Sequence, residues 1–389
     1  MLRVLALLVV LPLLLCLLGA AHAYLALRLA IEPLDGAAEA IGVALIGALG
    51  ALVLLQPLAE RRLRPAAVRW IAWPASLWMG AAFWLLLLLP LFDLAVWLGT
   101  PAASAASAAE VGPNGSPFAA WRAALALGLT GAGLVAGLRS GLAPPRCVSQ
   151  RFEIEGWPEA LDGFRIAQIS DVHIGPILGH RFADHLVERI QALRPDLIAI
   201  TGDLVDGSAA RLADEVEPFG RLAAPWGVYF VTGNHDHYSG ASAWAERLRE
   251  LGLRVLRNER VEVGPPGARF DLVGVDDHHA HFAGDGREDL AAALAGRDAS
   301  RPAVLLAHDP ASFAAARGQG IDLQLSGHTH GGQLWPFGWF VRLATPWVAG
   351  RYRDGRAQLY VSRGTGFWGP PLRLGSPAEI TEITLHAAH

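Results

Sequence analysis

Five short stretches concentrate the side chains able to do chemistry: Asp171-Val172-His173, Gly202-Asp203, Gly233-Asn234-His235-Asp236, Leu306-Ala307-His308 and Gly327-His328-Thr329-His330-Gly331-Gly332. Each sets oxygen or imidazole donors beside small residues at the end of an apolar, strand-like run. Asp171 and His173 are two apart, as are His328 and His330, so on an extended backbone each pair points to one side and can share a cation. The two oxygens of Asp203 can each bind a different metal. Asn234 offers a neutral carbonyl oxygen, His235 is free to act on substrate, and Asp236 can orient or charge it. Imidazole with carboxylate, and no thiolate, suits Mn, Fe or Zn better than Ca. Together the five stretches imply a two-metal hydrolytic centre.

Rigid elements must hold such loops in place. Apolar runs at 164–169, 196–201, 227–232, 302–307 and 321–325 read as strands, each ending at one of the five stretches. Phe182, Leu186, Ile190 and Leu193 recur at helical spacing and Pro195 stops the run. A further helix is expected between Ala209 and Leu222, and another over Trp244–Leu251. Further strands are expected at 152–154, 254–256 and 270–275. The result is a βαβ-like series with its acidic tips at one kind of strand end. Asp276-Asp277-His278-His279-Ala280-His281 is a His-rich tract outside this pattern and reads as a solvated loop.

Composition divides the chain. Of 389 residues 52% are hydrophobic and 17% charged, but acids are scarce before about residue 140 and ordinary in density after it. The expected domains are a transmembrane helical region over 1–140, a juxtamembrane linker over 141–151 and a globular domain over 152–389. Apolar runs at 2–27, 37–58, 70–98 and 118–138 are long enough to cross a bilayer. The first also fits a signal peptide, with Arg3 as basic start and Ala21-His22-Ala23 as cleavage pattern; a retained helix is the reading taken here. No cluster of ionisable residues stands out within the runs, which argues against a transporter and for an anchor.

Arg61, Arg62, Arg64 and Arg69 follow the second run and Arg139, Arg146 and Arg151 the fourth, whereas the Ala/Ser/Gly/Pro-rich segment 100–117 holds no basic residue. By the enrichment of arginine on the cytoplasmic side, the expectation is a multi-pass protein of the cell inner membrane with its globular domain in the cytoplasm. A net charge of -4 gives no basic face for nucleic acid. Cys16 and Cys147 support neither a disulfide framework nor a thiolate metal site.

The order and spacing of the five stretches resemble the calcineurin-like metallophosphoesterase superfamily over about residues 152–383. More closely, they resemble its bacterial membrane-associated branch, through Gly327-His328-Thr329-His330-Gly331-Gly332-Gln333, the tail Tyr360-Val361-Ser362-Arg363-Gly364 and Trp368-Gly369-Pro370-Pro371. That resemblance implies a four-layer α/β/β/α sandwich. It also implies two divalent metal ions (Mn, Fe or Zn), one on Asp171, His173, Asp203 and His330, the other on Asp203, Asn234, His308 and His328. Asp203 would bridge them, and His235 with Asp236 would be catalytic. The reaction implied is hydroxide attack at the phosphorus of a phosphomonoester, phosphodiester or pyrophosphate. Membrane tethering points to the bilayer as partner and to a phosphorylated, lipid-linked substrate. Trp335, Phe337, Trp339, Phe340, Phe367 and Trp368 would line an apolar entrance or else pack in the core, and Arg363 and Arg373 would contact phosphate or stay solvated. The alternative is a catalytically silent membrane scaffold that keeps the fold.

Overall fold

The computed structural model describes residues 2–99 and 117–388; most of the basic-free segment 100–117 lies outside them. The chain divides into two compact units, Met1–Ala136 and Gly137–His389.

The first unit is built from α1 (Leu2–Ala26, continued by a π turn at Leu27–Ile31), α2 (Gly36–Arg62), α3 (Pro65–Gly99) and the start of α4 (Pro117–Gly141). All four are long and apolar enough to cross a membrane. Residues 65–99 form one helix despite Pro74 and Pro90. Leu25, Ile46, Leu85, Leu89 and Ala126 make its small core.

Contrary to the reading of the separate runs, this unit does hold an ionisable cluster. Arg28 reaches Glu32 at 2.7 Å and Asp93 at 2.7 Å, and Arg122 reaches Asp93 at 2.9 Å and also pairs with Glu32. Four charges thus close on one another across α1, α3 and α4. Arg28 and Glu32 lie just beyond the first run, and the third and fourth runs carry one charge each, Asp93 and Arg122, so the cluster exists only once the helices meet.

In the second unit twelve strands form two six-stranded sheets. One has the order β1-β12-β2-β3-β4-β5 and the other β10-β11-β9-β8-β7-β6. The first contains β1 (Arg146–Ile154), β2 (Phe164–Ile169), β3 (Leu197–Thr201), β4 (Val228–Val231), β5 (Arg254–Val255) and β12 (Glu379–Ala387). The second contains β6 (Glu259–Val263), β7 (Phe270–Gly274), β8 (Ala303–Leu306), β9 (Leu323–Ser326), β10 (Gly350–Asp354) and β11 (Ala357–Val361). β2, β3, β4 and β5 run parallel, as do β7, β8, β9 and β11. β12 pairs antiparallel with β2 and parallel with β1 along the register Arg146↔Glu379 to Ile154↔Ala387. The strand therefore begins inside the segment expected as a linker, because β12 supplies a partner that no local pattern announces.

Alternation along the strands makes the layers. Ile166, Leu197, Ala199, Val304, Leu306, Leu323 and Leu325 face inward between the sheets with Phe164, Phe270 and Tyr360. Ile198, Ile200 and Phe230 face outward onto α5 (His180–Ala192), through Leu186 and Ile190, and onto a further helix at Ala241–Glu250 through Trp244 and Leu248. Val273 and Leu305 pack on short helices through Ala293 and Ala316. This is the four-layer α/β/β/α sandwich. The helix expected between Ala209 and Leu222 is instead one turn at Ala209–Leu212 and a 3₁₀ segment at Glu217–Arg221, with Pro218 at the start of the latter lacking an N–H to continue a ladder.

Candidate metal centre

Parallel strands deliver their C-terminal ends to one rim, and every expected ligand lies there, on a loop or at the first residue of the helical turn that follows it. Asp171 and His173 follow β2, Asp203 follows β3, Asn234 follows β4, His308 follows β8, and His328 and His330 follow β9. Asp171, His173, Asp203, His328 and His330 all have φ between 51° and 71°. Left-handed backbone at non-glycine residues is costly and persists only where surrounding structure imposes it. Here the cost turns five donors inward together.

The donors fall into two groups. In one, His330 Nε2 lies 3.0 Å from His173 Nε2 and 3.3 Å from Asp171 Oδ1, and His173 Nε2 lies 3.9 Å from Asp203 Oδ2. In the other, His308 Nε2 lies 3.2 Å from Asp203 Oδ2, and His328 Nδ1 lies 2.9 Å from Asn234 Oδ1 and 3.3 Å from His308 Nε2. Asp203 Oδ2 belongs to both.

Hydrogen bonds behind the site test whether these residues fit cations. His308 Nδ1 lies 2.8 Å from the Thr201 carbonyl, which can only accept, so this nitrogen carries the proton and donates it. The lone pair on Nε2 is left facing a carboxylate oxygen, which is repulsive without a cation between them. In the metal-free protein burial opposes charging His308, but Asp203 overrides it and holds the imidazole well above its ordinary range; a proton then does part of a cation's work. His173 Nδ1 likewise donates to Asp206 Oδ1 at 3.0 Å, which frees Nε2 toward His330. Burial and repulsion from His173 and Arg373 push His330 well down, so its ring stays neutral and able to ligate. Ligand atoms converging on one another, with His173, His308 and His330 oriented from behind, are what metal ligation requires.

His235 sits beside this centre, its ring 4.8 Å from that of His173. Asp236, expected to orient it, does not do so. Its carboxylate accepts from the backbone N–H groups of Gly233 and Asp203 at 2.8 Å and of Leu204 at 3.0 Å, tying the β3 and β4 loops together. The partner of His235 is Asp206, whose Oδ1 lies 2.7 Å from Nδ1. Burial opposes charging His235, but that hydrogen bond and the charge of Asp203 raise its pKa to about 9 in the metal-free protein. Burial also opposes ionisation of Asp206, and the imidazoles of His173 and His235 override it, holding its carboxyl far below the ordinary range. Asp206 was not picked out from sequence. The available signal was its place three residues after Asp203 in Gly202-Asp203-Leu204-Val205-Asp206.

The His-rich tract is only in part the solvated loop expected: His278 and His281 are exposed, but the rest turns inward. Asp276 and Asp277 are buried, and the His279 ring stacks on that of His328 at 5.9 Å. His279 Nδ1 lies 3.5 Å from Asp309 Oδ2, so the tract backs the second ligand group. Arg373 is fully buried, donating to the carbonyls of Gly366 and Ser376, with Nη2 3.3 Å from His330 Nδ1. Arg363 pairs with Glu379 at 3.4 Å. Of Trp335, Phe337, Trp339, Phe340, Phe367 and Trp368, only Phe367 is buried.

Comparison with known proteins agrees with this geometry. Residues 164–332 match the family model described as calcineurin-like phosphoesterase. A zebrafish (Danio rerio) "transmembrane protein with metallophosphoesterase domain" is 38% identical over 68% of this chain and 62% of its own length. An uncharacterized metallophosphoesterase of Helicobacter pylori is 36% identical over 64% of this chain and 66% of its own. The chain thus spans less than two thirds of these first relatives. It covers 88% of a metallophosphoesterase of Aquifex aeolicus, at 32% identity over 60% of this chain. With that degree of identity across nearly all of a relative, this chain belongs to the calcineurin-like metallophosphoesterase family.

Proposed function

We propose that this protein is a membrane-anchored, dinuclear-metal phosphoesterase acting on a phosphomonoester, phosphodiester or pyrophosphate bond of a lipid-linked substrate, as in the bacterial membrane-associated branch of the family. The observation that carries the reading is the pair of donor groups sharing Asp203, in which the far nitrogens of His173, His308 and His330 are already engaged by Asp206, the Thr201 carbonyl and Arg373. Asp171, His173, Asp203 and His330 would hold one ion, and Asp203, Asn234, His308 and His328 the other. Bound there, two such ions would activate water and offset charge on phosphoryl oxygens. The domain boundaries proposed remain 1–140, 141–151 and 152–389, with β1 reaching back into the linker.

The chain's own residues do the rest. Asp206 holds Nδ1–H of His235, which leaves Nε2 as the nitrogen free to act at the centre. In that tautomer a protonated His235 can donate to the leaving oxygen or to a developing phosphoryl charge. Asp236 keeps the β3 and β4 loops in register, so it positions Asp203 and His235 rather than reacting. Arginine after α2 and after α4 supports a metal centre on the cytoplasmic side of the inner membrane.

Manganese, iron and zinc should be measured in purified full-length protein, with hydrolysis of a generic aryl phosphodiester assayed beside it. About two ions per chain together with turnover is the expected result. Well-folded protein that takes up none of the three metals would end the reading, whereas bound metal with no turnover of any phosphoester would favour a silent scaffold. A C-terminal reporter fusion active only in the cytoplasm is the expected topology result.

A further inference from the structure

Between the His328–His330 loop and β10 the chain forms a helix, Phe337–Ala344, none of whose residues is buried. Trp339 is 65% exposed, Phe340 48% and Leu343 85%. At about 100° per residue these three share an arc of roughly 100° on one side of the helix. Gly338 lies on another side, against the metal-site loop, and is held close: a Cβ on Gly332 would meet Gly338 Cα at 2.3 Å. The small face of the helix is therefore turned to the ligand loop and the aromatic face away from it. Its one charged residue is Arg342, and it contains no acid.

Further aromatic groups stand around the mouth of the metal centre. Trp368, half exposed, has its ring 6.1 Å from His235, and its backbone N–H donates to Gln333 Oε1 at 3.0 Å. Tyr238 is exposed and lies 5.7 Å from His235. Phe282 is exposed and stacks at 5.9 Å on His279, which itself stacks on His328.

We infer that the helix Phe337–Ala344 lies in the interfacial zone of the bilayer and brings the metal centre to headgroup level, so that the substrate is a phosphoester still embedded in the membrane. The occupant of the aromatic face is set by the chain itself, whose four long apolar helices keep it in a bilayer. Tryptophan prefers the boundary between headgroups and acyl chains, and a short helix with an apolar arc, one arginine and no acid suits that boundary. A phosphoester drawn from that zone would meet His235 and the ligand loops while its acyl part stayed against Trp339, Phe340, Trp368 and Phe282. The substrate half of this inference rests on the function proposed above; the placement of the helix does not.

The test uses the full chain in vesicles of phosphatidylethanolamine and phosphatidylglycerol. In a background with Cys16→Ser and Cys147→Ser, an environment-sensitive fluorophore is attached through Leu343→Cys or, as control, through Ser300→Cys. Ser300 is exposed and precedes β8, at the opposite end of the strands from the ligand loops. Spin-labelled lipid should quench the label at 343 at least threefold more than that at 300, with a blue-shifted emission at 343. Equal quenching overturns the placement, and a crosslink from 343 to a second copy overturns it in favour of a dimer contact.

For the substrate half, Trp339→Ser, Phe340→Ser and Leu343→Ser are combined. Metal content and hydrolysis of a soluble aryl phosphodiester should stay within about twofold, while hydrolysis of a phosphoester lipid in the same vesicles falls at least tenfold. Equal loss on both substrates overturns the substrate half. No turnover of either substrate by the metal-loaded, unsubstituted chain instead overturns the function on which it rests, and the quenching result still decides the placement of the helix.

Discussion

His235 and Asp206 form a pair beside the ligand groups in which the imidazole is held through Nδ1. His235→Ala should retain both metals and lose about 10²- to 10⁴-fold in turnover, the range for a lost acid–base group. Asp206→Asn removes the carboxylate that sets the tautomer of both His173 and His235, and should cost about 10- to 100-fold in activity or metal affinity. Metal analysis beside kcat separates the two roles. Asp277 offers a test of a different kind. Burial, helped by the charge of Asp203 and opposed by His308, raises its carboxyl to about 7 in the metal-free protein. In the unfolded chain it ionises near 4. The folded state therefore keeps its full stability below about pH 4 and loses up to about 4 kcal/mol as pH rises from there to about 7. Asp277→Asn removes that loss. Its thermal midpoint relative to the unsubstituted metal-free protein should rise between pH 5 and pH 8, and a constant difference would show that Asp277 ionises normally.

Strand ends and the turns after them decide whether the donors converge. Gly233 has an ordinary φ of -111°, so its small size rather than its flexibility is what the site uses. A Cβ there would stand 2.2 Å from Asp203 Oδ1 and 2.5 Å from Asp203 N. Gly233→Ala should therefore displace the shared carboxylate and weaken both metals by about 10- to 100-fold, with the sheets intact by circular dichroism. Loss of a single ion would argue that Asp203 does not serve both groups. These turns were legible in the sequence because each is a contiguous motif directly after an apolar run. Asp206 was less legible, being one acid among several whose partner, His235, lies on the next loop. The orienting role given to Asp236 failed because adjacency in sequence says nothing about direction: as the third residue of a short helix, its carboxylate turns back to the backbone N–H groups of its own cap. Asp276 and Asp277 looked solvated because nothing local shows that Thr232 and Arg257 close over them.

Across the whole molecule the four-layer architecture was foreseen through the family resemblance that the motif order carries. The sheet order could not, since β1 and β12 find each other from opposite ends of the unit. The ionic network among the apolar helices was equally hidden, because each run carries too few charges to announce it. Arg122 is almost wholly buried there, and removing one member of a buried ionic network leaves its partners uncompensated. Arg122→Ala should destabilise the helical unit by about 3–5 kcal/mol, read as a lower midpoint of heat-induced aggregation in detergent. Arg122→Ala with Asp93→Ala should recover part of that loss, and no recovery would show that the pair is not coupled.

β12 is central to one further property, the order in which the protein can be made. It lies between β1 and β2, so two strands emerging early from the ribosome wait for a third that emerges after every ligand loop. Until then β1 has no neighbour, and the facing edge of β2 is an open template for stray pairing. Biogenesis should accordingly run in two stages, with the apolar helices seated first and the sandwich closing only after β12 has emerged, and a nascent chain halted before Glu379 should remain protease-sensitive over 146–378.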